Sequence, residues 1–494
     1  ALAQVLDVGD VLPREEGAVA KFCKSLDGMI HAAWTLEKTS KNVKQKRAEI
    51  TRAQADQRRE RYARSLGLDP KRAIQPEFVP KQPTAHEWYH QDDTDRSVVK
   101  RFDAGSRRDP ARQPGLASAA AGQLDSGVRA LPGGQGPQAQ ALDENQLGQA
   151  WADLGASFGA SVSADRLSFS LRSLSDPELL AKAAQLAARQ MAHPAYPEAV
   201  WLRDREKLAA ALRESLTRPG TVAQNRFADA VYGGHPYGWR STPESLRRIG
   251  VTDLQRWHGQ ALRPCRAVVS VVGDVTRAQA DALVTRLLAL WPQGRCEPQP
   301  PVAEVPELKA AQDIRVPFDS AQAHVLIGQP GFKRNDPDFF ALLLGNHILG
   351  GGGFTSRLTA QVREQRGLSY SVFSGFAPAL HAGAFTVGLQ TRPDQAAQAV
   401  EVARQVVRDF VDKGPTEAEL QAAKDNLIGG FALRIDSNRK LLDNVANIAW
   451  NQLPLDYLDR WTEHMAKVTT ADVQRAFARV LQPGRMVTVV VGAR

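Results

Sequence analysis

Two stretches of the chain can be laid on each other without a gap. They are DLQRWHGQALRPCRAVVSVVG, from Asp253 to Gly273, and DVQRAFARVLQPGRMVTVVVG, from Asp472 to Gly492. They share an Asp, a Gln, two Arg, a Leu, a Pro, three Val and the closing Gly, all at one constant offset. Each copy reads as a helix, then a turn at Pro264 or Pro483, then a strand of mostly β-branched residues. Chance is a poor explanation for a gapless match of this length. Self-similarity at so long a period means duplication rather than a solenoid, and implies two homologous domains of ~200 residues, each α+β and each ending on the same helix and strand.

The break between the copies is WPQGRCEPQPPVAEVPE, Trp291 to Glu307, which holds five prolines. The expected organisation is a basic, partly helical or disordered extension over 1–95, a first domain over 96–292, a Pro-rich linker over 293–307 and a second domain over 308–494. In each domain an antiparallel-rich sheet packed with helices is expected. The front ends also correspond: GSRRDPARQPGLASAAAGQL and GFKRNDPDFFALLLGNHILGG each run from a strand end through a basic turn and D-P into an apolar helix. RALPGGQGPQAQALDENQ, Arg129 to Gln146, is rich in Gly, Pro and Gln and reads as an exposed loop.

Of the net charge of +9, +7 falls between Glu37 and Arg72, where twelve basic and five acidic residues lie. The rest of the chain is nearly neutral. A single charge run with a thin apolar stripe reads as a solvated helix or arm, so no nucleic-acid partner is expected. No run approaches the ~18 apolar residues of a spanning helix, so no membrane span is expected either. Cys23, Cys265 and Cys296 are odd in number and widely spaced, and read as ordinary thiols. The chain opens on ALAQ, without a methionine, and these letters have the form of the end of an A-x-A cleavage site. The compartment stays open, with the bacterial periplasm favoured over the cytoplasm.

AHEWYH, Ala85 to His90, contains H-E-x-x-H, which on a helix would place His86 and His90 one turn apart as zinc ligands beside Glu87. Its flanks oppose a helix. Pro80 and Pro83 stand just before it and QDDTD follows with turn-forming residues. An exposed loop is the favoured reading, against a zinc peptidase site.

The sharpest stretch of the second half is NHILGGGGFTSRLTAQVREQRGLSYSVFSGF, Asn346 to Phe376. Arg363 falls in the last turn of a helix that Gly367 should terminate, and Tyr370 begins the next strand. The run Gly350, Gly351, Gly352 and Gly353 permits a close backbone approach, and without a following G-K-[ST] it does not read as a phosphate loop. His347 and His235 have no partner at ligand spacing and read as structural.

With YGGHPYGWRSTPESL, Tyr232 to Leu246, these motifs resemble the M16 family of metallopeptidases, over roughly Phe102 to Arg494. The resemblance implies that Arg363 and Tyr370, with the glycine run, bind substrate and help to hold the scissile carbonyl opposite a zinc ion. It also implies what is missing. Active M16 subunits carry H-x-x-E-H on the first helix of the first domain and a further Glu ligand on a later helix. Here that helix reads GLASAAAGQL: Ser118 and Gly122 fall at the histidine positions and Ala121 at the base. The distal position falls near Ala211, with Glu206 and Glu214 close by. Zinc needs three protein donors and an open position, so no zinc is expected on this chain and a zinc ion is expected in a partner. The resemblance implies a non-catalytic, substrate-binding subunit of a heterodimeric M16 peptidase, paired with an H-x-x-E-H subunit and acting on peptides. The alternatives are a scaffold with the same fold, and an independent peptidase built on His86, Glu87 and His90.

Overall fold

Strand-forming runs punctuated by Gly and Pro turns build two large sheets and one small two-stranded sheet, and the amphipathic helices between them build the layers. The computed structural model describes residues 95–136, 139–291 and 296–492. The first half contributes β1 (Asp95–Phe102), α1 (Leu116–Gly122), a short β2 (Gly127–Val128) and β3 (Leu142–Asp143), and α2 (Glu144–Asp153). Next come β4 (Ser157–Val162), β5 (Leu167–Leu174), α3 (Pro177–Ala192), α4 (Glu198–Ser215) and α5 (Pro219–Tyr232). It ends with α6 (Pro243–Arg247), α7 (Val251–Ala261), β6 (Val268–Gly273) and α8 (Arg277–Leu288). The second half runs β7 (Gln312–Val316), β8 (Ala323–Pro330), α9 (Phe339–Asn346), β9 (Val372–Phe376) and β10 (Ala384–Thr391). It finishes with α10 (Ala396–Lys413), α11 (Glu417–Gly429), α12 (Asn438–Trp450), α13 (Trp461–Lys467), α14 (Thr470–Val480) and β11 (Val487–Val491).

The first sheet has the order β4-β5-β1-β6 and the second β7-β11-β8-β10-β9. Read from the other edge, the second repeats the first, β9-β10-β8-β11, and adds β7 beside β11. β1 runs antiparallel to β6 with Arg96 opposite Gly273, β8 runs antiparallel to β11 with Val491 opposite His324, and β7 lies parallel to β11.

Several identities in the repeated stretch do the same job in both copies. Asp253 and Asp472 accept the backbone N–H of Gly250 at 3.0 Å and of Thr469 at 2.9 Å, which caps α7 and α14 at the same turn. Both also pair with an arginine three residues on, Arg256 and Arg475. Leu262 and Leu481 are buried, and Pro264 and Pro483 each open a 3-10 turn. Gly273 and Gly492 sit at φ 139° and 100°, in the region glycine enters without strain.

The two halves exchange a helix. Helix α5 packs on β8 and β11 of the second sheet, where Ala223, Phe227 and Val231 meet Val487, Val489 and Val491. Helix α12, which stands at the same offset from α5 as the second copy of the repeat does from the first, packs on β6 of the first sheet. Arg101 of β1 donates to Asn447 of α12 at 3.1 Å. Both faces of β6 and β11 are therefore covered, which explains why VVSVV and VTVVV are mostly valine and buried almost throughout rather than alternating.

Two expectations need correction. Cys265 and Cys296 are not free thiols: α8 returns the chain so that they form a disulfide with Cα atoms 5.9 Å apart, whereas Cys23 lies outside the described residues. A separation of 31 residues gave no spacing signal for that pairing. The stretch Arg129 to Gln146 is not wholly a loop, because β3 and the start of α2, capped by Asp143 through Gln146, occupy its end. After Cys296 the chain is tied down. Gln299 Nε2 donates to Asp103 O at 3.1 Å, Arg108 Nη1 to Pro300 O at 3.0 Å, and Glu304 pairs with Lys333 at 2.6 Å.

Candidate functional site

The glycine run is set by the helix before it. α9 widens at its end into a π-helical turn, His347–Gly351, and Gly352 N–H donates to His347 O at 2.7 Å. A Cβ on Gly350 would stand 2.4 Å from Ser374 N on β9, and one on Gly352 2.7 Å from His347 O, so the loop lies against its neighbours at a distance only glycine allows. Asn346 fastens the same point by accepting Ser374 Oγ at 2.9 Å. His347 is half-buried, and burial, with the charge of Arg434, holds its imidazole below the usual histidine range. His235 is structural in its contacts: its Nδ1 accepts Tyr237 N–H at 3.1 Å and its Nε2 lies 2.9 Å from Ala303 O.

Past Gly353, at φ 63°, a 3-10 turn over Gly353–Thr355 leads to Ser356, whose buried hydroxyl bonds Gly353 O at 2.8 Å and Thr359 Oγ1 at 3.0 Å. The following turns are π-wound over Thr359–Glu364, a form that is rare and frequent at functional sites. Gly367, at φ 61°, ends them as expected: its N–H donates to Arg363 O at 2.8 Å and Leu368 N–H to Val362 O at 2.9 Å. Tyr370 precedes the strand rather than opening it, since β9 starts at Val372.

The structure brings Arg363 and Tyr370 together, with the guanidinium carbon 4.9 Å from the centre of the tyrosine ring. A third residue joins them. Phe354 stands on the other branch of the loop with its ring centre 4.8 Å from the same guanidinium. Cation–π contacts of this kind are worth about 0.5–1 kcal/mol each at an exposed site. Tyr370 is 82% exposed and Phe354 69%, so neither ring belongs to the core. Among the described residues Arg363 makes no ion pair and no hydrogen bond through its side chain. Its N–H donors and the Tyr370 hydroxyl are open to an acceptor from outside the chain.

On the first half, Asp109 shapes the corresponding helix. Its carboxylate accepts Gly115 N–H at 2.7 Å and Ala117 N–H at 2.9 Å at the start of α1, and burial pushes its carboxyl up to about 6 against the pull of those bonds. Ser118 and Gly122, four apart on α1, are exposed on one face, while Ala121 is buried. The acidic side chain brought to the end of this helix is Asp204 of α4, whose Oδ2 accepts Gln123 Nε2 at 2.9 Å. Ala211, near which the distal ligand position was expected, lies two turns further along α4. Asp204 is also paired with Arg203 at 2.8 Å. A serine, a glycine and one engaged carboxylate do not fit a tetrahedral zinc site with three donors. Among the described residues no three His, Cys, Asp or Glu side chains converge. His86, Glu87 and His90 lie outside the described residues.

Two antiparallel-rich sheets, with a paired Arg and Tyr beside one and a helix without ligands beside the other, have the architecture of an M16 peptidase whose metal helix carries no ligands. The family model "Peptidase M16 inactive domain" matches residues 248–427. A solved peptidase M16 inactive domain from Pseudomonas fluorescens superimposes with TM-score 0.75 at 30% identity, covering 82% of this chain and 94% of that one. A non-peptidase homologue from Helicobacter pylori is 30% identical over 258 residues, 51% of this chain and 57% of its own length. An uncharacterized zinc protease of Mycobacterium leprae is 29% identical over 282 residues, 56% of this chain and 62% of its length. The matched region thus spans less than two thirds of either curated relative. The chain belongs to the M16 peptidase family, as a member that lacks the H-x-x-E-H motif.

Proposed function

We propose that the chain is the non-catalytic, substrate-binding subunit of a heterodimeric, zinc-dependent M16 peptidase acting on peptides. The observation that carries this reading is Arg363: a cation held between two exposed rings, with no partner of its own among the described residues. A purely structural arginine would be paired with a carboxylate, as Arg357 is. In the assembly a partner subunit with H-x-x-E-H supplies zinc and the activated water. Arg363 and Tyr370 donate hydrogen bonds to the scissile carbonyl as it gains negative charge, while the glycine loop positions the peptide. Donors fixed where charge develops stabilise a transition state more than the ground state.

The same reading takes the two halves as products of duplication, 96–292 and 308–494 joined by 293–307. The shared strand order and the helix exchange at one offset support it. A disulfide between Cys265 and Cys296 supports an oxidising compartment such as a bacterial periplasm.

The test is zinc content and peptide hydrolysis of the full chain alone and mixed with an H-x-x-E-H subunit encoded beside it. Zinc-dependent hydrolysis confined to the mixture supports the proposal. Stoichiometric zinc and hydrolysis in the isolated chain would return the case to His86, Glu87 and His90, and an inert mixture would favour a scaffold.

A further inference from the structure

Phe354 is the part of the site that a paired Arg and Tyr leave unexplained. Among the described residues, the large aromatic side chains most exposed to water are Phe354, Tyr370 and Phe373, at 69%, 82% and 50%, and all three lie on this one segment. A phenyl ring left in water forgoes the gain of burial, and exposed apolar groups gathered in one place mark binding surfaces more often than scattered ones do. The position of Phe354 is also built. On one side the glycine loop is clamped against β9 at Gly350; on the other, the fully buried Ser356 is bonded to Gly353 and Thr359. The ring that emerges between these anchors meets the Arg363 guanidinium and is otherwise open to solvent. Phe373 stands on β9, the outermost strand of its sheet, over Gly388, where a Cβ would come within 2.5 Å of its ring.

We propose that Phe354 is a specificity-determining residue, whose exposed ring takes an aromatic or bulky aliphatic side chain of an extended peptide while the free Arg363 donors take a backbone carbonyl next to it. The complementarity is of two kinds on one scaffold: an apolar face for a side chain, and N–H donors for the carbonyl beside it. A peptide with a small or charged residue at that place leaves the ring uncovered. This inference rests on the reading that the chain holds peptides, and it adds which peptides.

The experiment uses the full chain and two capped, fluorescein-labelled ten-residue peptides of Ser, Thr and Gln, one with Phe and one with Ala at the centre, followed by anisotropy. The wild type is expected to bind the Phe peptide about tenfold more tightly than the Ala peptide. Phe354→Ala should bring the two within twofold, chiefly by weakening the Phe peptide, and Phe354→Tyr should restore the preference. Phe354 is mostly exposed, so the variants should melt with the wild type. A preference that survives Phe354→Ala, or a wild type that binds neither peptide, overturns the inference. Failure of the proposed function reads differently: Arg363→Ala then leaves hydrolysis by the mixture unchanged, while it still weakens both peptides and Phe354 still controls the preference.

Discussion

The unpaired guanidinium of Arg363 and the buried amine of Lys100 show how differently a lone cation can be held. Arg363 keeps its donors in water and rests its faces on two rings, so its charge costs little. Lys100 lies on β1 between Val98 and Phe102, core residues of the first half, and its Nζ has no hydrogen-bond partner among the described residues. Burial pulls its amine from 10.5 down to about 7. The unfolded chain still binds that proton between pH 7 and 10.5 and the folded chain does not, so this residue makes stability rise with pH across that window. Lys100→Met should stabilise the protein at pH 7 by several kcal/mol, about 3 after local relaxation, with the difference closing toward pH 10.5. Guanidinium unfolding of both proteins at pH 7, 8.5 and 10 checks this; equal stabilities throughout would contradict it. The emptied metal helix makes a second residue-scale prediction. Gly122 has open space where a Cβ would stand and Ser118 is exposed, so Ser118→His with Gly122→His should place two imidazoles one turn apart near Asp204. The double variant is expected to take up one zinc, and adding Asp204→Ala should weaken that binding at least about tenfold, as loss of a ligand does. The meeting of Arg363 and Tyr370 was legible in the sequence, because a helix that Gly367 ends and a strand just after Tyr370 are spelled out around them. The contact of Asp204 with Gln123 was not, because no motif marks it. Phe354 carries no signal of its own in the sequence, since one exposed phenylalanine has no periodicity.

Among elements, the π-wound turn over Thr359–Glu364 matters most, because it aims Arg363. Its base is held by Arg357, which forms two bonds of 2.7 Å with Glu419 at the start of α11, donates to Gly414 O at 3.0 Å and lies over the Phe410 ring at 5.0 Å. The Arg357 hydrogen bonds hold the Glu419 carboxyl down to about 2, from 4.5. Since the folded value is the lower one, the stability this pair contributes is present above pH 4.5 and lost as pH falls toward 2. Glu419→Gln should cost about 1–2 kcal/mol at neutral pH, given that the pair is partly exposed, and should flatten the acid limb of a stability curve between pH 4.5 and 2. Urea unfolding across that range reads both effects. The strands β6 and β11 were legible as strands from their valines. Their second covering layer was not, because nothing within α5 or α12 says that each will cross to the other half.

At the scale of the molecule, the gapless repeat forecast the matching helix, turn and strand, and the helix exchange explains why so much of it is apolar. The disulfide was hidden, because two cysteines 31 residues apart meet only after α8 has turned the chain back. It closes that loop around β6 and α8, and replacing both cysteines by serine should lower stability by roughly 3–4 kcal/mol on chain-entropy grounds. Thermal melting of the variant beside the oxidised and reduced wild type measures it, and three coincident curves would contradict a structural role. The extension over 1–95, including the H-E-x-x-H spelling, lies almost wholly outside the described residues. The central claim is that the chain lends its cation and phenol to a partner's zinc centre. The most direct measurement is kcat/KM for a peptide cleaved by the mixed subunits, with Arg363→Ala in this chain and the partner unchanged. A loss of about 100-fold or more at unchanged subunit affinity is predicted, the scale of removing one donor from a developing oxyanion; a variant mixture as fast as the wild type would contradict the account.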